Sequence, residues 1–216
     1  TPLPAGLPEL DLAELSGRIG WKESGTEFEV TTARLGLTTT HGLVLEPLDF
    51  LLRMTRADTR RSAHGEMQAN ALELATLAAH AVRLPLGQEA RKRLADYAPR
   101  GSVNDMVVRW TGEWRDPRQY SVRGRFRELA LKHSGRIPGF SGVSGSVEAS
   151  ERGGTVAVNS NKATVEMPLV FRDVHEFDAL AAQVAWTRAD GAAELRLNSV
   201  SFSNAHLAGT VLGNYR

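Results

Sequence analysis

The chain has 216 residues, with 26 Lys+Arg against 25 Asp+Glu and a formal net charge of +1. That balance gives no reason to expect a nucleic-acid binder, whose mark is a concentrated basic surface. With 42% hydrophobic and 24% charged residues, the composition belongs to a folded chain rather than a disordered one. There is no cysteine, which excludes thiolate catalysis, cysteine zinc sites and disulfides together. No apolar run approaches the roughly 18–20 residues of a membrane span. The first residue is Thr1, and no basic-then-apolar leader follows it, so a piece of a longer protein is expected.

Along the chain, a strand–loop–strand unit recurs. Leu15–Gly25 reads LSGRIGWKESG and Val143–Gly153 reads VSGSVEASERG. Ser16, Gly17, Glu23 and Gly25 thus return as Ser144, Gly145, Glu151 and Gly153, and Phe28 and Val30 return as Val156 and Val158. A weaker copy places Trp186 of Leu180–Trp186 on Trp21, with a turn at Thr187–Gly191 leading to Leu195 and Leu197. A fourth unit runs through Met106, Val108 and Trp110, then a loop, then Tyr120, Val122, Gly124 and Phe126. Apolar and polar residues alternate on both sides of each polar, Gly-containing loop. Period two is the mark of a strand, because successive side chains point to opposite faces. Each unit therefore reads as an antiparallel hairpin.

Between the first hairpin and the fourth unit, Leu43–Leu45, Phe50–Arg56 and Glu66–Ala69 read as short strands. Glu46-Pro47-Leu48-Asp49-Phe50 echoes Met167-Pro168-Leu169-Val170-Phe171, and both prolines are expected in connections, since proline is badly tolerated within a central strand. Leu74, Leu77, Ala78 and Ala81 recur at helical spacing over Glu73–Arg83, ended by Pro85. Gln88–Tyr97 forms a second helix, stopped by Pro99 and Gly101. The pair is expected to cover a sheet edge or one mouth of a sheet. The basic triplet Arg91-Lys92-Arg93 reads as a solvated helix face. The whole is one mainly β, single-segment architecture: strands over 1–70, a helical hairpin over 71–100 and strands over 101–216.

Catalytic chemistry is not apparent. His41, His64, His80, His133, His175 and His206 show no metal-ligand spacing, and no HExxH occurs. GFSGVSGS over 139–146 lacks the Gly-x-Ser-x-Gly of a nucleophile elbow around either Ser141 or Ser144, and it leads into a hairpin rather than a helix. Its glycines are read as a bend or bulge at the start of a strand. Phosphate loops are absent, and the scattered carboxylates point to no glycosidase pair. Trp21, Trp110 and Trp186 occupy matching places near strand ends and read as sheet packing rather than a stacking ladder. No enzymatic activity, cofactor or metal is expected.

The stretches ELATLAAHAVRLPLGQEARKRLADYAPRGSVNDMVVRW from Glu73, YSVRGRFREL, GRIPGFSGVSGSVEASERGGTVAVNS, MPLVFRD and VSFSNAHLAGTVLGNYR resemble the central region of the YhdP family. That family is of the AsmA-like group of Gram-negative bacteria. The resemblance is densest from Glu73 to the C-terminus, and GFSG-x-SG-x-x-E-x-x-x-x-GG is its most specific element. It implies a periplasmic segment of a very long chain anchored by one inner-membrane helix, similar to bridge-like lipid transfer proteins. In such proteins repeated antiparallel hairpins build a curved, groove-like, taco-shaped sheet implicated in moving phospholipid between inner and outer membranes. The implied partner is therefore phospholipid, with envelope proteins as possible further partners and no nucleic acid.

A lipid conduit needs an apolar track, and alternating strands supply one. The expected groove-lining residues are Phe28, Val30, Met106, Val108, Val156, Val158, Leu195 and Leu197. Two other readings compete with a groove. These pairs could form a dry sandwich core, or the chain could be a structural β module that recognises a protein by its sheet edge.

Overall fold

The computed structural model describes residues 11–40, 42, 44–59, 61–79, 81, 88–114, 116–135, 137–168, 173–189 and 192–215. The alternating segments become eleven strands of one antiparallel sheet, hydrogen-bonded in strict sequence order. They are β1 (Leu12–Ser24), β2 (Glu27–Thr39), β3 (Val44–Thr55), β4 (His64–Glu73), β5 (Arg100–Glu113), β6 (Asp116–Leu131), β7 (Gly139–Ser150), β8 (Gly153–Glu166), β9 (His175–Ala189), β10 (Ala192–Ser203) and β11 (Ala208–Tyr215). Between β4 and β5 stand α1 (Leu74–Ala79) and α2 (Gln88–Tyr97). The architecture is thus mainly β, an open meander with the expected helical insertion. No helix among the described residues is long and apolar enough to cross a membrane.

Four predicted hairpins are present as β1–β2, β5–β6, β7–β8 and β9–β10. The strands run further into the loops than alternation suggested: β9 continues to Ala189, through Thr187. Leu45 and Phe50, read as two strands, belong to the single strand β3. Pro47 is therefore not in a connection. It is tolerated because pairing with β4 begins only at Phe50–Ala69, and because Pro47 falls between the Leu37–Leu45 and Leu35–Leu48 pairs of β2, where the register shifts. Pro168 does follow β8 as expected, whereas Leu169–Phe171, His41, Leu43, His80, Arg83 and Pro85 lie outside the described residues.

Register shifts bend the sheet at recurring places: near Gly17 in β1, Arg34 in β2, Asp105 in β5, Glu128 in β6 and Gly142 in β7. All five residues have positive φ. Each bulge frees backbone groups from the ladder. Side chains of the next strand satisfy several of them: Asp49 Oδ1 accepts from Arg34 N–H (2.7 Å), Ser144 Oγ from Glu128 N–H (3.1 Å) and Ser160 Oγ from Ser144 N–H (2.8 Å). The GFSG segment read as a bend is this device, with Gly142 at φ 70°.

The sheet has no second layer among the described residues. Its small core, Phe126, Val143 and Ala163, sits on β6–β8, with Leu129, Phe140, Val147, Val156, Val158 and Leu180 packed against it. No large side chain among the described residues is fully buried. The accessible surface is 15244 Å², about half again the roughly 9,800 Å² of a compact monomer of this mass. The helices do not cover β1 or β11. They lie by the ends of the central strands, where Ala75, Ala78, Leu94, Leu131 and Phe140 line a cleft.

Candidate functional site: an apolar face crossing every strand

Residues directly opposite one another in a sheet share a face. Following the register from β1 to β11 gives one unbroken row: Trp21, Val30, Leu52, Met67, Val108, Val122, Ala149, Gly154, Trp186, Leu195 and Tyr215. Not one carries a charge. Ten inter-strand spacings of about 4.8 Å make this row about 48 Å long. Two residues along, a parallel row holds Ile19, Thr32, Phe50, Ala69 and Met106 and, across the β5 bulge, Gly124, Val147, Val156, Val184, Leu197 and Gly213.

The opposite face is ionic. Its matching row reads Lys22, Glu29, Arg53, Glu66, Arg109, Ser121, Ser150, Gly153, Thr187 and Glu194. Arg53 meets Glu29 at 2.7 Å and Arg109 meets Glu66 at 3.0 Å. Hydrogen bonding from Gln68, reinforced by Arg109, holds the Glu66 carboxyl below its ordinary value. Hydrogen bonding to Glu29 and its negative charge hold the Arg53 guanidinium in its protonated form. The backbone N–H of Tyr120 lowers Glu151 in the same way, at 3.0 Å. Clefts between these rows, one of about 700 Å³ lined by Gln68, Arg123 and Glu148 among others, carry opposed charges side by side. They offer no field of one sign to an anion or cation.

The eight expected lining residues fall on the apolar face, in four neighbouring rows. Val30, Val108 and Leu195 stand in the 48 Å row, and Met106, Val156 and Leu197 in the row beside it. Phe28 lies with Met54, Gly65 and Trp110, and Val158 lies with Phe126 and Gly145. Seven are half-buried and Leu195 is exposed. Trp21 and Trp186 share a row, while Trp110 stands one row away, so the three tryptophans do not stack. The sequence reading missed Leu52, Met67, Val122, Ala149 and Val184. Alternation within β3, β4 and β7 carried the signal, but only pairing aligns these residues with the others.

Among the described residues no group of His, Asp or Glu could hold a metal ion. The arrangement can shelter an apolar ligand by area, without a polar clamp. Burial is worth about 0.8 kcal/mol per methylene wherever a chain lies along the face.

No curated protein and no solved structure matches the chain. A family does: the model of the YhdP protein covers residues 2–216, and the chain belongs to the YhdP family.

Proposed function

We propose that this chain is a non-enzymatic segment of a lipid conduit. Phospholipid acyl chains would lie on the apolar face while head groups stay in water, on a path between the inner and outer membranes. The segment would stand in the periplasm, within a parent protein anchored in the inner membrane. One observation carries the reading: an uncharged row crosses all eleven strands with no second layer over it among the described residues. A β domain of this size ordinarily hides such a face against another layer. A conduit keeps it accessible, and since a hydrocarbon chain is equally apolar in a bilayer, the chain can enter and leave without a large change in free energy. Membership of the YhdP family supports the reading.

The test is photocrosslinking in cells from Val158 and Leu197 of the intact protein, with mass spectrometry of the adducts. Phospholipid adducts at both positions, and none at Ser121 on the ionic face, are expected. Protein adducts alone would favour the second reading, a β module that binds a partner through its edge. That reading rests on β1, whose residues are exposed along its whole length.

A further inference from the structure

Four aromatic residues of the apolar face stand directly opposite a glycine on the neighbouring strand. The pairs are Gly65–Trp110, Gly145–Phe126, Gly154–Trp186 and Gly209–Phe202. In each, the ring has come down over the glycine. A methyl placed on Gly65 would lie 2.6 Å from Cε2 and 2.7 Å from Cη2 of Trp110. On Gly154 it would lie 2.5 Å from Cζ2 of Trp186, on Gly145 2.9 Å from Cζ of Phe126, and on Gly209 2.8 Å from Cζ of Phe202. Carbon atoms settle at about 3.5–4.0 Å, so no side chain fits beneath these rings as they lie.

The consequence is visible in exposure. Trp110 is 5% exposed although no second layer among the described residues covers it, whereas Trp21, which stands on the edge strand β1 opposite Val30, is 82% exposed. Trp114 meets Trp110 edge-on at 4.7 Å and closes one side of the ring. Covering a glycine with a cross-strand aromatic also shields the backbone that glycine would leave open.

We infer that these glycines set the clearance above the apolar face: each lets its partner ring lie down as floor, where any side chain would tilt the ring into the space an acyl chain occupies. The clearance role rests on the lipid-conduit reading. The ring conformation does not. Gly65 and Gly209 are the clean positions, because the three atoms nearest to an added methyl all belong to the ring and neither has positive φ. Gly145 and Gly154 are also pressed by the carbonyls of Ala157 and Glu148.

The experiment is Gly65→Ala in the intact protein, with two readouts: hydroxyl-radical oxidation of Trp110, and phospholipid adduct yield from a photocrosslinker at Val122. Trp110 oxidation should rise, the adduct should fall, and adding Trp110→Val should restore the adduct. A folded Gly65→Ala protein with unchanged Trp110 oxidation overturns the ring-seating inference. Raised oxidation with an unchanged adduct overturns the clearance role while leaving lipid binding intact. No adduct in the wild-type protein removes both the conduit and the clearance role, and oxidation still decides the seating. If Gly65→Ala fails to fold, Gly209→Ala with oxidation of Phe202 decides in its place.

Discussion

Placing one charge in the middle of the apolar row separates a conduit from a scaffold. Val108 is half-buried in β5, between Met67 and Val122. In Val108→Glu the carboxylate keeps its water, and about three methylenes of a chain crossing that row lose their contact. At about 0.8 kcal/mol each, the loss is about 2.4 kcal/mol, or roughly a 60-fold fall in occupancy at that row. The fold loses little, on the order of 1 kcal/mol, because the side chain is not sealed in a core. Crosslinkers at Leu52 and Val184, on either side, should report the depletion, with the thermal midpoint nearly unchanged. Ser121→Glu, exposed on the other face of β6, is the control and should leave adducts as they are. Equal adduct yields in Val108→Glu and wild type would refute the reasoning. So would a collapse of stability by several kcal/mol, the mark of a dry core.

Three other outcomes are expected. Ser160 is 4% exposed and ties both backbone groups of Ser144; Ser160→Ala should cost about 1–3 kcal/mol in urea denaturation, by stranding a bulge N–H. The carboxyl of Glu66 is held below its ordinary value of 4.5, so its contribution is complete above that pH and is lost as pH falls through the lower, folded value. Hydrogen-exchange protection factors in β3–β5, corrected for the pH dependence of intrinsic exchange, should fall below about pH 4.5, and Glu66→Gln should flatten that dependence. Finally, β1 has a hydrogen-bonded neighbour on one side only among the described residues, and it exposes Leu15, Ile19 and Trp21. The 216-residue chain taken by itself should self-associate with concentration in sedimentation, and Ile19→Lys should weaken this by placing a charge on the edge.

Alternation is a local property of the backbone, since each Cβ points away from the one before it. That is why Phe28 and Val30, or Val156 and Val158, could be placed on one face from sequence, and why the helices ending near Ala79 and Tyr97 could be found by their different period. Glycine and proline signals were local too, and they were right at Gly142 but wrong at Pro47. Whether a proline breaks a strand depends on which neighbour would need its N–H, and that neighbour, β4, is supplied from elsewhere in the chain. Only the tertiary structure decided the rows. Val30, Val108 and Leu195 come into line only through the pairings of the strands between them, and register shifts at Thr111/Gly112 in β5 and on both sides of Leu129 in β6 help set which residues meet. The sum of such shifts is not written in any one segment. The same holds for the glycines beneath Trp110 and Trp186, and for the uncovered apolar face itself. Period two tells which side of a strand is apolar, but burial depends on whether another layer arrives to meet it.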